Sequence, residues 1–397
     1  MQSGARNYLV VTGGYWAFTL TDGAIRMLVV LYFHLLGYSP LEVASLFLLY
    51  EFFGIVTNLV GGWLGARIGL NLTMHIGMGL QVVALAMLTV PDAWLSVPYV
   101  MAAQALSGIA KDLNKMSAKA SVKVLAGQGG EGGESRLFRW VAVLTGSKNA
   151  LKGAGFFLGV ALMEAVGFRG ALAVLGAALL VVLILTALAL PAGVGRLEGK
   201  PKFTQVFSTV AAVNWLAAAR FFLFGSRDVW FVVGLPVFLY DVLGWSFLQV
   251  GGFMALWIVG YGGVQAAADR LVGSRHDGAS ARRWAWILVL LPAAIALALA
   301  QGWPAQTVLI AGLAAFAVVF ALNSTIHSYL ILAYSANDRV AMDVGFYYMA
   351  NAAGRLAGTV LSGYAYQTHG LEGCLWWSAA FVLLAALCSQ QLPRLPG

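Results

Sequence analysis

Gly37-Tyr-Ser-Pro-Leu-Glu-Val43, in the first half of the chain, returns in the second half as Gly244-Trp-Ser-Phe-Leu-Gln-Val250. Each copy leads into the second apolar segment of its half. A second match stands in a corresponding place. Gly167-Phe-Arg-Gly170 joins the fifth apolar segment to the sixth, and Gly370-Leu-Glu-Gly373 joins the eleventh to the twelfth. At that second offset Lys152 falls on Arg355 and Gly155 on Gly358. One such match could be chance; two at equivalent positions point to a chain built from two related halves. In membrane proteins such repeats form two bundles that rock about a site at the midplane.

The composition requires a membrane. Of 397 residues 60% are hydrophobic and 10% charged, where soluble domains carry nearer 25% charge. Apolar stretches of about 20 residues, each long enough to cross ~30 Å of hydrocarbon as a helix, recur along the whole length. The pattern predicts an all-α membrane protein of twelve transmembrane helices in two pseudo-symmetric six-helix bundles. The spans are placed near 8–35, 40–65, 72–90, 95–116, 139–165, 170–190, 211–240, 247–268, 283–301, 305–330, 342–366 and 372–391. The first bundle is 1–192, a cytoplasmic linker covers 193–208, and the second bundle is 209–397. The first span is read as retained, not as a cleaved signal.

Sixteen Lys and Arg fall in the connections on the N-terminal side, among them Arg67, Lys115, Lys119, Arg136, Lys200, Arg275 and Arg339; only Arg169 falls on the other. That asymmetry predicts that both termini lie in the cytoplasm. The net charge of +8 follows from this bias and calls for no nucleic acid.

Seven basic side chains sit inside the spans: Arg26, Lys111, Lys148, Lys152, Arg220, Arg227 and Arg355. Four acids join them: Asp22, Glu51, Asp112 and Asp228. A charge at mid-bilayer costs roughly 2.5–3.5 kcal/mol even on the lenient insertion scale. The excess of cations therefore predicts a small, multiply charged anion in a water-filled cavity. Lys148 and Lys152 are i and i+4 on the fifth span and share a face; they need an anion or a carboxylate between them. Arg220 and Arg227 share a face of the seventh span, with Asp228 beside the second. Asp22 and Arg26 read as an i, i+4 pair. The alternative for these mixed sets is a neutralised salt bridge holding helices together. Lys111, Asp112, Asn114 and Lys115 stand at the cytoplasmic end of the fourth span, half of them expected at the interface. Glu51 reads as a lone carboxylate, and with Asp22, Asp112 and Asp228 it is a candidate for proton coupling or gating. His34 and His327 are expected at span ends, without a role. Cys374 and Cys388 read as packing residues, and no thiol cluster suits a soft metal. No nucleophile–base set, metal cluster or phosphate-cradling glycine loop points to an enzyme or a cofactor; the Gly127–Glu134 run lacks the Lys-Ser/Thr of a P-loop.

The architecture resembles the major facilitator superfamily. Its signature between the second and third spans is Gly-x-Leu-x-Asp-Arg-x-Gly-Arg-Arg, and here it reads Gly62-Trp-Leu64-Gly-Ala66-Arg67-Ile-Gly69-Leu70-Asn71. Ala66 replaces the acid and Leu70-Asn71 the basic pair. Ala268-Asp269-Arg270-Leu-Val-Gly273 is a looser echo in the second half. The Arg-x-x-Gln-Gly pattern of drug–proton antiporters is missing, since Gln104 stands where the Arg belongs.

Five segments together narrow the resemblance: Tyr15-Trp-Ala-Phe-Thr-Leu-Thr-Asp22-Gly-Ala-Ile-Arg26, Leu49-Tyr-Glu51-Phe-Phe-Gly54, Ala105-Leu-Ser-Gly-Ile-Ala-Lys111-Asp112-Leu-Asn-Lys115-Met116, Thr145-Gly-Ser-Lys148-Asn149-Ala-Leu-Lys152-Gly153 and Ala219-Arg220-Phe-Phe-Leu-Phe-Gly-Ser-Arg227-Asp228-Val-Trp230. They resemble the organoarsenical efflux permeases of bacterial arsenic-resistance operons (the ArsJ type). The resemblance implies export of 1-arseno-3-phosphoglycerate, the ester formed when glyceraldehyde-3-phosphate dehydrogenase uses arsenate in place of phosphate. It thus implies a functional link to that enzyme, arsenate resistance and a place in the inner membrane of a bacterium. The residues themselves suggest the grip: Lys148, Lys152 and Arg26 on one end of the substrate, Arg220, Arg227 and Arg355 on the other, with Lys111 nearby and Asn149 and Asn351 orienting the glycerate carbons. The protein is expected to be monomeric. Two readings compete: an organophosphate or organic-anion transporter or exchanger of the same superfamily, and a membrane scaffold whose charges serve as helix–helix glue.

Overall fold

The computed structural model describes residues 2–127, 133–190, 208–272, 277–335 and 340–394. The expected linker lies outside these residues apart from Ser208. So do most basic connections, including Arg196, Lys200, Lys202, Arg275 and Arg339, and the side chains of Arg67, Lys119, Lys123, Arg136, Arg139 and Arg270.

The described chain is helical throughout, as a bilayer demands, because only internal hydrogen bonds can satisfy the backbone there. The helices are α1 (Gln2–Leu35), α2 (Pro40–Ser45 and Leu48–Ile68), α3 (Leu70–Met87) and α4 (Val97–Gly127). The stretch Gly133–Ala189 breaks at Gly167, which has φ of 75°, into α5 (133–166) and α6 (168–189). The second half repeats the plan with α7 (Ala211–Phe231 and Gly234–Asp241), α8 (Phe247–Val272), α9 (Gly278–Ala300) and α10 (Ala305–Tyr334). Val340–Ser389 breaks at Gly370, φ 62°, into α11 (340–369) and α12 (371–389). Nine helical stretches are long and apolar enough to cross a membrane among the described residues. Two of these hold two spans each, and α4, whose interior charges set it apart, completes twelve.

The repeat holds at the level of single bonds. Ser39 N–H donates to Glu42 Oε2 at 2.8 Å and Glu42 N–H to Ser39 Oγ at 3.3 Å. Ser246 and Gln249 make the same reciprocal pair at 2.8 and 3.3 Å. Each is a capping box, in which two orphan helix-terminal N–H groups are satisfied at once, and it follows a glycine at φ 87° (Gly37) or 68° (Gly244). The close approach of helices is duplicated too. A methyl group at Gly155 would run into the Leu20 carbonyl of α1, and one at Gly358 into the Gly225 carbonyl of α7. Glycine therefore lets α5 lie backbone to backbone on α1, and α11 on α7.

Six tight connections lie at one end of the bundle, here the far face; the termini lie at the other, the terminal face. The seam between the halves changes character along its length. Toward the far face the core is shared. Met27, Leu31, Phe156 and Val160 of the first half pack with Phe231, Val250, Met254 and Ala255 of the second. Val232, Val233 and Val237 of α7 join the core formed by Ile25, Leu28, Phe33 and Phe47. Toward the terminal face each half keeps its own core, one around Tyr15, Phe18, Met74 and Met78, the other around Val213, Ile326, Leu330 and Tyr347. Across that part the seam is joined by polar side chains.

Candidate functional site

The charged residues of α1, α2, α7 and α11 meet at the seam, but in ion pairs. Arg26 Nη2 of α1 lies 2.7 Å from Glu51 Oε1 of α2. Arg355 Nη2 of α11 reaches the same oxygen at 2.6 Å, and its Nε donates to Asp228 Oδ2 of α7 at 2.9 Å. Arg227 Nε donates to Asp228 Oδ1 at 2.7 Å. Three arginines and two carboxylates thus alternate in one chain, of net charge +1, that passes from one half to the other at Arg355–Glu51. Glu51 and Asp228 are fully buried. Removing one member of such a buried pair leaves an uncompensated charge in low dielectric, which is strongly destabilising.

This corrects three expectations. Arg26, Arg227 and Arg355 are mated to carboxylates, where an anionic guest was expected to balance them. Glu51 is not a lone acid, because two guanidinium groups share one of its oxygens. Asp22 and Arg26 do not pair, despite their i, i+4 spacing. The Tyr50 hydroxyl donates to Asp22 Oδ1 at 2.6 Å, while Arg26 is drawn across to α2 and its guanidinium lies 4.9 Å from the Tyr50 ring centre.

A second charged knot lies on α4. Lys115 Nζ approaches Asp112 Oδ1 at 2.5 Å and donates to Asn58 Oδ1 at 2.8 Å. Lys111 Nζ is 3.6 Å from Asp112 Oδ2 and 4.0 Å from the centre of the Tyr50 ring. Asp112 and Asn114 are fully buried and Lys115 nearly so. Of the two positions expected for this group, interface or interior, burial in the protein favours the interior: α4 continues three turns beyond Lys115. Lys115 faces the seam, with its Nζ 4.9 Å from the Tyr348 ring of α11.

Two cations are left without an acid. Among the described residues no carboxylate lies within ion-pair distance of Lys152 or Arg220. Lys152, half-buried on α5, stands over the Phe156 ring at 5.8 Å and within electrostatic reach of Arg26, Asp22, Arg355 and Arg227. Lys148 is half-buried one turn nearer the terminal face. Arg220 is held by neutral groups: Nε donates to Asn351 Oδ1 at 2.9 Å, and Nη1 to the Ser324 carbonyl at 3.1 Å. Its guanidinium lies 3.8 Å from the centre of the Phe224 ring. The Arg227 guanidinium lies 5.1 Å from the centre of the same ring. Asn351 thus aims an arginine. Asn149 bridges the seam instead, donating from Nδ2 to Gln265 Oε1 of α8 at 2.5 Å.

Gln265, Ser324 and Tyr261 were missed by the sequence reading. Gln265 Nε2 donates to Ser324 Oγ at 3.2 Å, and Tyr261 Oη lies 3.1 Å from that oxygen. A polar residue inside an apolar run was their only signal, and it is a weak one. His327, expected at a span end, is fully buried with neither ring nitrogen hydrogen-bonded, because α10 runs on to Tyr334. His34 joins Asp241 across the far end of the seam at 3.0 Å.

Three solved structures share this arrangement of helices. A bacterial homologue of the human drug peptide transporters PepT1 and PepT2 superposes with a TM-score of 0.71 over 98% of this chain and 97% of its own, at 17% identity. A structure of proton-dependent oligopeptide transporters gives the same values. A bacterial homologue of the iron transporter ferroportin, in an outward-facing state, gives 0.69 over 97% and 98% at 16% identity. At such identities the likeness concerns fold alone. No curated relative matches the chain. The family model of the Major Facilitator Superfamily matches residues 11–281, well over half of the sequence, and together with the twelve-helix, two-bundle fold it establishes that this protein belongs to that superfamily.

Proposed function

We propose that the protein exports a small organic polyanion from the cytoplasm by alternating access, and that the substrate is 1-arseno-3-phosphoglycerate. The observation that carries the reading is the pair of interior cations without an acid, Lys152 in the first half and Arg220 in the second. An anion with a charged group at each end would complete both. Lysine offers a compact charge and arginine a planar fork suited to phosphate or arsenate oxygens. The substrate grip is thus narrower than six cations. Arg355 ties the halves together through Glu51, Arg26 and Arg227 are paired within their own halves, and Lys152 and Arg220 take the guest. The segment resemblance to organoarsenical efflux permeases supports the choice of arsenic ester, and the basic bias of the connections supports a cytoplasmic terminal face.

The test is uptake into inside-out vesicles. Glyceraldehyde 3-phosphate, arsenate, NAD and glyceraldehyde-3-phosphate dehydrogenase generate the labile ester outside. Arsenic should accumulate only when all four are present and the transporter is in the membrane. Equal uptake without the dehydrogenase would overturn the arsenic reading. Uptake of 3-phosphoglycerate in exchange for internal phosphate would support the organophosphate exchanger instead.

A further inference from the structure

The amides at the seam carry an inference about what lies between the two charged ends of the substrate. The hydrogen-bonded route from Arg220 to the opposite half runs through Ser324 and Gln265 to Asn149. Asn149 is one helical turn from Lys152 on α5. The Asn149–Gln265 pair thus stands on the hydrogen-bonded path between the helices that carry Arg220 and Lys152. That pair differs from the other interior amides. Gln81 and Gln104 are sealed within the first half, whereas Asn149 and Gln265 keep partial solvent access. It also differs from the ion pair Arg355–Glu51, another tie across the seam. A neutral hydrogen bond contributes only about 0.5–1.5 kcal/mol net, so rocking of the halves breaks it readily and leaves two amides with donors and acceptors to offer.

We infer that Gln265, with Asn149, is a specificity-determining residue that reads a hydroxyl or carbonyl oxygen between the anionic ends of the substrate. The inference rests on the anion reading given above and deepens it, by assigning recognition of the polar, uncharged centre of a bis-anionic ester to this pair. A site built to hydrogen-bond a hydroxyl disfavours the analogue that lacks it, because its own polar groups are then left unpaired.

Two stable probes separate the possibilities, 3-phosphoglycerate and its deoxy counterpart 3-phosphooxypropionate, titrated into the purified full-length transporter in lipid nanodiscs. Wild type should bind the hydroxylated probe about tenfold more tightly, as expected of two neutral hydrogen bonds. Gln265→Leu should bring the two affinities within about twofold, and Gln265→Asn should keep part of the preference. Gln104→Leu, a sealed amide elsewhere, should leave the ratio as in wild type. Should Gln265→Leu fail to fold, Asn149→Leu tests the same pair from the other half. A wild-type ratio near one, or an unchanged ratio in the leucine variants, overturns the inference while leaving the anion reading in place. Failure of wild type to bind either probe removes both.

Discussion

Replacing Glu51 by glutamine removes the negative charge shared by Arg26 and Arg355 while nearly preserving shape. Glu51 is fully buried, and its Oε1 lies 2.7 and 2.6 Å from the two guanidinium groups. The alternating chain then goes from +1 to +2 around a fully buried position. Breaking a buried pair by removing one partner costs about 3–5 kcal/mol. For 397 residues the unfolding entropy is about 0.8 kcal/mol per kelvin, so the thermal midpoint should fall by about 4–6 °C. The reasoning makes a second demand: an anion should do part of the work of the missing carboxylate. If 10 mM phosphate binds the variant with Kd near 1 mM, it restores about 1.4 kcal/mol, close to 2 °C, and should do less for wild type. Thermal unfolding of the purified protein, monitored by tryptophan fluorescence at several phosphate concentrations, reads both quantities. A Glu51→Gln protein as stable as wild type would refute the view that this acid holds the halves together. A loss of stability that phosphate does not touch would refute the view that the opened site accepts anions.

Other expectations follow from the same geometry. Lys152→Ala and Arg220→Ala should each abolish arsenate resistance in cells at normal protein abundance, and resistance at wild-type level in both would remove the grip assigned to them. Arg220→Lys should restore little, since an ammonium cannot satisfy Asn351 and Ser324 and still offer a fork to the guest; transport rates in vesicles measure this. Gly155→Ala and Gly358→Ala should both lower stability, by about 1–3 kcal/mol as expected of overpacking, through the matching clashes with Leu20 and Gly225. Tolerance of one but not the other would argue against equivalent packing in the two halves. Cysteines at positions 34 and 241, at the far end of the seam, joined by a bifunctional thiol crosslinker about 8 Å long that contains a disulfide, should stop transport and release it on reduction.

The fold was legible because a bilayer leaves few options. Apolar runs had to be helices, and the glycines at 37, 167, 244 and 370 had to be turns, so most of the span limits agree with the helices to within a few residues. The site was half legible. A basic residue in an apolar run is visible in any sequence, and all of those singled out lie in the protein interior or on its seam. Their partners were not visible, because pairing depends on how helices rotate against one another. Arg355 and Glu51 are separated by 304 positions, and no local pattern joins them. The i, i+4 rule misled at Asp22 and Arg26 because it describes an isolated helix, and here a tyrosine and a glutamate from α2 offered each a better partner. The depth of Lys115 was hidden for a related reason: hydropathy ends the span where the charges begin, whereas the helix continues.

The shared oily packing near the far face has a thermal consequence. Swinging the halves apart there would wet Met27, Leu31, Phe156, Val250 and Met254, and hydration of apolar surface raises heat capacity. The balance between the two orientations of the transporter should therefore curve with temperature, and its far end should loosen on cooling as the hydrophobic attraction weakens. The polar stretch of the seam, joined by amides and ions, carries far less of that dependence, so chilling and warming would bias which side of the membrane the two halves open toward.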